Sequence, residues 1–268
     1  MKKLVKKHRK ILKKILFANL ILIVYLLVSF LIVPEIDSVD AETIYGAHRG
    51  ASVDYKENTV DAFEKALEDA KYQFIEFDIQ YSKDEEIVVF HENTRFRRPK
   101  KGVSTPDLTY DELNSKFEFE IPVYEEVMKL LGGKKPLNIE IKSHGDFEQD
   151  KRLVDFIIQD CKNRGISDQV MISAISNEII EYIEEKHPEV RTGKVHFVTI
   201  NSLMPVSNIC DDVYDTTADY VLLHGYNLHN YKTLIECKPE DKNLIFWYFT
   251  DEAYIVKEGN DCIFWMNC

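Results

Sequence analysis

From residue 43 onward, short apolar runs alternate with amphipathic stretches, and this alternation limits the possible folds more than any other feature of the chain. Short apolar runs are typical of strands that are buried on both faces, and the stretches between them have the spacing of helices with one apolar side. Strands and helices in alternation predict a parallel sheet covered by helices. The apolar runs are residues 44–47, 74–79, 87–90, 137–141, 170–172, 194–198, 220–223, 244–249 and 262–265, and the amphipathic stretches include 60–70, 124–131, 150–161, 177–186, 230–237 and 251–257.

The apolar runs number one more than a (β/α)₈ barrel needs, and one pair of them explains the excess. Only residues 80–86 separate the run 74–79 from the run 87–90. A parallel crossover needs about a dozen residues or more, so these two runs must form a hairpin. Residues 43–268 therefore predict an α/β TIM barrel of eight strands with a hairpin insertion after strand 2. No stretch after 262–265 supplies the last helix, so we expect a barrel that lacks it.

The segment before the barrel predicts a membrane anchor. Residues 1–14 hold eight basic and no acidic side chains, and residues 15–33 carry no charge at all. An apolar length of ~20 residues suits a transmembrane helix, and the preceding cations place the N-terminus in the cytoplasm. We expect a single-pass protein of the cell membrane, with residues 34–42 as a stalk and the barrel outside. Two alternatives are a signal peptide cleaved after Ala41 and a buried core helix.

Composition excludes some functions and leaves others open. The formal charge of −12 argues against a general nucleic-acid binder. The five cysteines show no C-x-x-C spacing, so a zinc site is not expected, although an exported body could pair some of them. The sequence does not indicate an oligomeric state.

Two carboxylates lie within the run 74–79, and the hairpin brings a histidine to them. A turn centred on Asp84 and Glu85 would set Asp78 opposite His91, and a shift of the turn centre would set Glu76 there instead. Glu76 and Asp78 have i, i+2 spacing and share one strand face. Carboxylates this close repel each other unless a cation lies between them, so we interpret the pair as metal ligands. The alternative is an outward, solvated pair.

Other polar residues fall at strand ends, where a barrel keeps its chemistry. His48 and Arg49 follow the first run, and Glu140 and Lys142 share one face of a later strand. Glu140 can complete an oxygen-ligated site for Ca²⁺ or Mg²⁺, and the two cations can hold an anion beside it. Four other histidines are interpreted as structural: His144, His196, His224 and His229.

Six segments in order carry a resemblance to a known family. They are Ala47-His48-Arg49-Gly50, Glu57-Asn58-Thr59, Glu76-Phe77-Asp78-Ile79, Val88-Val89-Phe90-His91-Glu92, Ile121-Pro122-Val123-Tyr124-Glu125-Glu126-Val127 and Ile139-Glu140-Ile141-Lys142. In order and spacing they resemble the signature blocks of the glycerophosphodiester phosphodiesterase family. The likeness continues more loosely to the block Phe246-Trp247-Tyr248-Phe249-Thr250.

The resemblance implies a metal-dependent hydrolase that cleaves glycerophosphodiesters into glycerol 3-phosphate and an alcohol, using one divalent cation. It implies that His48 and His91 are the general acid and base, with their order left open. Asn58 or Thr59 is also placed to cap the following helix. The other roles implied are metal ligation by Glu76, Asp78 and Glu140, substrate contact by Arg49, Lys142 and Trp247, and support by Glu57.

The chain departs from the family pattern at several positions. Lys56 and Glu92 replace the usual Pro and Asp, and the segment 173–177 differs from the expected Ser-Phe-Asn. Two other functions therefore stay open. One is a phospholipase-type phosphodiesterase that acts on lipids or lysolipids. The other is an inactive module that binds phosphate polymers or lipid head groups.

Overall fold

The computed structural model describes residues 42–91, 104–196, 209–247 and 252–257, together with isolated positions between 13 and 24. Within these ranges the chain alternates strands and helices, as the sequence predicts. The strands are β1 (Glu42–His48), β2 (Phe74–Tyr81), β3 (Ile87–Val89), β4 (Leu137–Ile141), β5 (Val170–Ala174), β6 (Arg191–Val195), β7 (Tyr220–His224), β8 (Asn243–Trp247) and β9 (Glu252–Lys257). The α-helices are α1 (Val60–Glu68), α2 (Tyr110–Asn114), α3 (Tyr124–Leu131), α4 (Phe147–Arg164), α5 (Asn177–Lys186), α6 (Ile209–Tyr214) and α7 (Tyr231–Glu236).

The strands close into a barrel. The hydrogen-bonded order is β1-β9-β8-β7-β6-β5-β4-β2, and β1 also pairs with β2, which completes the ring. Seven of these strands run parallel, and β9 runs antiparallel to both of its neighbours. The predicted TIM-barrel architecture is confirmed, and so is the hairpin insertion, because β3 pairs antiparallel with β2 outside the ring.

The closing strand differs from the one predicted from sequence. Residues 251–257 were expected to be helical, but β9 fills the eighth position of the ring. Its Tyr254, Ile255 and Val256 are aromatic and β-branched residues that favour strands. Positions 248–251 are too few for a crossover, which explains why β9 pairs antiparallel. The predicted strand at 262–265 and the expected lack of a last helix concern residues outside the described ranges.

The hairpin register also differs by one residue from prediction. Ile79 pairs with Val89 and Tyr81 with Ile87, so Asp78 lies opposite Phe90 rather than opposite His91. The connection has three residues, 83–85, and Glu85 adopts a left-handed conformation with φ of 60°. A type I turn followed by such a residue is a standard three-residue hairpin loop, and it shifts the register that a two-residue turn would give.

The barrel has an inner and an outer apolar layer. Ile75, Phe77 and Ile79 of β2 point outward into the core beneath the helices. The inner layer lies on the opposite strand faces and includes Phe74, Tyr220 and Ile245. A side chain at Gly46 would meet the Phe74 ring at 2.1 Å, so the inner layer requires glycine there.

The predicted anchor, residues 15–33, lies largely outside the described residues, as do the basic segment and the stalk. No helix among the described residues has the length and apolar character needed to span a bilayer. At isolated described positions the residues are helical and their apolar side chains are exposed; Phe17 is one example.

A disulfide joins two neighbouring helices on the outside of the barrel. It links Cys210 of α6 to Cys237, the residue that follows α7. Cys161 in α4 is a buried thiol, whereas Cys262 and Cys268 lie outside the described ranges. The two cysteines are 27 residues apart in the sequence, and the segment between them contains the whole of β7.

We predict that breaking this disulfide destabilises the folded chain by about 3 kcal/mol, because the link restricts the unfolded state. Urea unfolding of the wild type with and without dithiothreitol measures the change in midpoint. The double variant C210S/C237S is the control, and reductant should leave its midpoint unchanged. A wild-type midpoint that does not respond to reductant would contradict the assignment of this pair.

Candidate active site

Three carboxylates meet at the carboxyl-terminal end of the barrel. Glu76 and Asp78 alternate along β2, and Glu140 lies on the neighbouring β4, where Asp78 and Glu140 are register partners. All three are buried, and Asp78 is fully inaccessible to solvent. One oxygen from each lies within 4.8 Å of the others, so the three residues could hold a metal ion. The structure thus brings together the three ligands predicted from sequence and excludes the solvated alternative.

Two buried cations lie among these carboxylates. The Lys142 ammonium is 2.7 Å from Oδ1 of Asp78 and 2.5 Å from Oε1 of Glu140. Nε of Arg49 is 3.0 Å from Oδ2 of Asp78, and its Nη1 donates to Glu57 at 2.9 Å. Glu57 therefore orients the guanidinium, consistent with its predicted supporting position. Asp78 is the centre of the cluster, because both cations contact it.

The chain turns sharply after β1 to bring Arg49 over the barrel. Arg49 has a φ of 63°, a left-handed conformation that costs a non-glycine residue of order 1 kcal/mol or more. Its backbone N–H donates to both the carbonyl oxygen and Oε2 of Glu76, each at 2.9 Å. These bonds hold the turn, and Gly50 continues it with a φ of 78°.

Asn58 and Thr59 have separate tasks in the structure. Thr59 is the N-cap of α1, and its hydroxyl accepts a hydrogen bond from the Ala62 N–H. Asn58 instead donates from Nδ2 to Oδ2 of Asp78 at 2.8 Å, from a left-handed conformation with a φ of 57°. Asparagine tolerates this conformation better than most residues. The capping role suggested for either residue therefore belongs to Thr59, and Asn58 supports the carboxylate cluster.

Both histidines singled out from the sequence lie at this end of the barrel. Nε2 of His48 is 3.8 Å from Oε2 of Glu76, and His48 is buried. His91 lies just beyond β3 and interacts electrostatically with Asp78 and with His48. The one-residue change in register does not remove His91 from the site, because it follows the last paired residue of the strand.

Sequence reasoning did not find Gln80, which fixes the segment that carries His91. Gln80 is buried, and its Nε2 donates to the carbonyl oxygen of Phe90. Phe90 in turn donates its N–H to the carbonyl oxygen of Asp78 at 3.0 Å. The signal was present in the sequence, since Gln80 continues the i, i+2 series of Glu76 and Asp78 on the inward face of β2.

Aromatic rings form the opposite side of the site. Trp247, at the end of β8, packs against the inner apolar layer, and its ring centroid is 5.7 Å from that of His48. His224, at the end of β7, contacts the same tryptophan edge to face with centroids 4.7 Å apart. Trp247 thus lies where a substrate contact was expected, and His224 is brought into the site although the sequence suggested a structural role.

The donor set fits a hard divalent cation. Three carboxylates offer only oxygen ligands, as Ca²⁺ and Mg²⁺ prefer. Oε1 of Glu76 is buried and has no hydrogen-bond partner among the described residues. A buried carboxylate oxygen without a partner is costly, and a cation would satisfy it. Glu76, Asp78 and Glu140 are therefore the residues that would hold the metal.

Burial and mutual repulsion divide the protonation states of the carboxylates. Burial, together with the charge of Asp78, raises the pKa of Glu76 well above its usual range. Burial alone would also raise the pKa of Asp78, but Lys142 and Arg49 hold it well below its usual range. Without a cation, Glu76 is the group that takes up a proton, and metal binding would displace that proton.

The fold and this cluster of polar side chains define a TIM-barrel protein. TIM-barrel enzymes have their active sites at the carboxyl ends of the strands, which is where the cluster lies. The family model of the glycerophosphoryl diester phosphodiesterase family matches residues 48–241. The chain belongs to that family, and the family and enzyme class predicted from the sequence are confirmed.

Relatives and solved structures agree with this assignment. A glycerophosphodiester phosphodiesterase from Caldanaerobacter subterraneus is 31% identical over 166 residues, which cover 58% of this chain and 67% of the relative. One from Bacillus altitudinis is 27% identical, over 54% of this chain and 62% of the relative. The matches thus span about two thirds of these relatives' lengths.

Two solved structures show the same fold. A glycerophosphodiester phosphodiesterase from Thermotoga maritima superposes with a TM-score of 0.55 at 24% identity, covering 76% of this chain and 85% of that one. An Oleispira antarctica phosphodiesterase in complex with the product sn-glycerol-3-phosphate gives a TM-score of 0.59 at 16% identity, covering 75% and 83%.

We predict that the variant E76Q separates metal binding from folding. In EDTA it should be at least as stable as the wild type, because the raised pKa of Glu76 means that its ionised form destabilises the folded chain. Added Ca²⁺ or Mg²⁺ at 100 times the dissociation constant should stabilise the wild type by about 2.7 kcal/mol and E76Q by much less. Thermal unfolding with and without metal measures both effects. An equal metal response in the two proteins would contradict ligation by Glu76.

Proposed function

We propose that this protein hydrolyses glycerophosphodiesters to glycerol 3-phosphate and an alcohol, with one divalent cation held by Glu76, Asp78 and Glu140. The observation that carries the proposal is the buried cluster of three carboxylates and two cations beside two histidines. Family membership and relatives named for this activity support it. The Oleispira antarctica phosphodiesterase binds the product sn-glycerol-3-phosphate. That complex supports the same phosphate chemistry for the present chain.

The charges of the cluster suit a phosphodiester. Glu76, Asp78 and Glu140, when ionised, outnumber the cations Arg49 and Lys142 by one, so the cluster alone repels an anion. A divalent cation would reverse this balance and leave a single positive charge, which matches the single negative charge of a phosphodiester. Bound there, the metal would offset negative charge on the non-bridging phosphate oxygens. Arg49 and Lys142 add hydrogen-bond donors for the same oxygens.

His48 and His91 are proposed as the general acid and base. One must accept a proton from the attacking hydroxyl, and the other must donate one to the leaving alkoxide. Burial and the nearby cations Lys142 and Arg49 lower the pKa of His91, whereas Asp78 raises it. The lowering effects are larger, so the pKa falls to about 2. A histidine with so low a pKa is neutral at ambient pH but only weakly basic, so the order of acid and base stays open between His48 and His91.

Ca²⁺ and Mg²⁺ both suit the ligands, and we propose that one of them is the physiological metal. Lipids or lysolipids as substrates, and an inactive module that binds head groups, are the competing functions. A binding module would not need two histidines around the phosphate position. The paired histidines therefore favour hydrolysis.

We predict that the purified full chain in detergent releases glycerol 3-phosphate from glycerophosphocholine and glycerophosphoethanolamine. EDTA should abolish the release, and Ca²⁺ or Mg²⁺ should restore it. H48A and H91A should each lower kcat by ~10²-fold or more while the protein stays folded. Lysophosphatidylcholine is assayed in parallel. Faster turnover of the lysolipid would favour the phospholipase-type function, and no turnover of any substrate with either metal would favour the binding module.

We also propose that residues 15–33 anchor the chain in the cell membrane, with the N-terminus in the cytoplasm and the barrel outside. The uncharged segment after eight basic residues supports this orientation. The disulfide between Cys210 and Cys237 supports it independently, because disulfides persist in oxidising compartments outside the cytoplasm. A small-molecule substrate outside the cell is then within reach of the barrel.

The direction of β1 bears on the substrate. β1 begins at Glu42 and ends at His48 in the active site, so an anchor before residue 34 would join the barrel at the end opposite its mouth. Residues 34–41 could extend at most about 29 Å. This arrangement favours water-soluble glycerophosphodiesters over lipids that remain in the bilayer.

Fractionation of cells that express the full chain tests the anchor. We expect the protein to stay with membranes after alkaline carbonate washing, and we expect protease added outside to remove the barrel while leaving a short N-terminal fragment. A variant with Leu22 and Leu26 replaced by lysine should lose membrane retention, because charges at the helix centre cost ~2.5–3.5 kcal/mol each. Recovery of the wild-type barrel in the protease-protected cytoplasm would contradict the orientation.

A further inference from the structure

His224 lies in the barrel mouth and takes no part in the mechanism described above. It is the last residue of β7 and is buried, and it shares the inward strand face of Tyr220 and Leu222. In the parallel ladder it is the register partner of Trp247, so the strand pairing itself fixes the two side chains as neighbours. The rings meet edge to face with centroids 4.7 Å apart and planes at 87°.

Trp247 connects this contact to His48, one of the two histidines proposed for acid–base catalysis. Its ring lies 5.7 Å from that of His48, and β9 separates β8 from β1 in the sheet, so the contact crosses the mouth rather than following a ladder. On its other side His48 faces Oε2 of Glu76 at 3.8 Å. The His48 imidazole therefore lies near both the Glu76 carboxylate and a tryptophan that itself packs against His224.

The backbone at His224 is fixed as well. Its carbonyl oxygen accepts a hydrogen bond from Nδ2 of the buried Asn227 at 3.0 Å, within the 3-10 turn that follows β7. The disulfide between Cys210 and Cys237 encloses this strand and turn. A side chain on such a rigid element can hold the ring that it contacts in one orientation.

We propose that His224 is a positioning residue for hydrolysis: by packing edge to face against Trp247, it keeps that ring against His48 and so holds the His48 imidazole in its productive orientation. The inference rests on the proposed phosphodiesterase activity. An edge-to-face ring pair is favourable beyond the apolar area that it buries, and the contact therefore favours one orientation of the tryptophan. Misplacement of a catalytic group by about 1 Å can cost up to 10²-fold in rate.

Kinetics of four variants on glycerophosphocholine test the proposal. H224A should lower kcat on the order of tenfold and change KM by less than about twofold, because His224 does not touch the substrate. H224F should restore kcat to within about threefold of the wild type, since phenylalanine keeps a ring edge against Trp247. In a W247A background, H224A should have no further effect, because the two residues act through one contact.

H196A is the matched control. His196 follows the neighbouring β6, and its environment is formed by Lys194 and by the Val213 backbone and Asp212 of α6, away from Trp247. Loss of this imidazole should lower the unfolding temperature without lowering kcat. Thermal unfolding of every variant separates loss of fold from loss of positioning.

Three results would overturn the proposal. H224A with wild-type kcat would show that Trp247 needs no support. A large rise in KM, or H224F as impaired as H224A, would show that the imidazole contacts the substrate directly. Additive losses in the W247A background would show that His224 does not act through the tryptophan. A wild type without hydrolytic activity would remove the proposed function and this inference together, whereas an active wild type with an unaffected H224A would remove only this inference.

Discussion

The buried carboxylate of Asp78 organises the active-site end of this barrel. It is inaccessible to solvent and receives Nε of Arg49, the Lys142 ammonium and the Asn58 amide. Its partners come from the turn after β1, from the residue after β4 and from the loop before α1, so one anion fixes three segments of the chain. Removal of one partner of a buried ion pair costs about 3–5 kcal/mol. This network therefore couples the stability of the strand ends to the geometry of the site.

The charge of the barrel limits how the site can bind an anionic substrate. From residue 41 onward, acidic side chains outnumber basic ones by 17, so the long-range field of the barrel repels an anionic phosphodiester. Salt screens this field beyond ~8 Å at physiological ionic strength, so attraction has to arise within the site. Arg49 and Lys142 are already engaged by carboxylates, and they alone cannot supply it. A divalent cation held by Glu76, Asp78 and Glu140 would be the component that makes the pocket attractive to phosphate.

The sequence was sufficient for strands β1 to β8, the hairpin and the carboxylates, because each depends on local patterns: alternation, a connection too short for a crossover, and i, i+2 spacing. It was insufficient where the structure depends on the backbone conformation of a single residue or on a partner far away in the chain. The register of β3 follows from the left-handed conformation of Glu85, and the antiparallel β9 follows from the way the ring closes. The pairing of Cys210 with Cys237 depends on the packing of α6 beside α7, which spacing does not show. The rule that selected His48 and His91, a histidine at a strand end, applies equally to His224.

The mouth of the barrel divides into two chemically different sides, and this division constrains the substrate pose. The carboxylates and cations belong to β2 and β4 with the turn after β1, whereas Trp247 and His224 belong to β8 and β7 across the ring. A phosphate held on the charged side would direct one ester substituent toward the tryptophan, and His48 lies between the two sides. His48, one of the two histidines proposed to exchange a proton with the substrate, therefore lies at the boundary where a bridging ester oxygen would be placed. Trp247 would then have two tasks, to contact the substituent and to limit the motion of the imidazole, and a ring that served both would tie substrate fit to catalytic geometry.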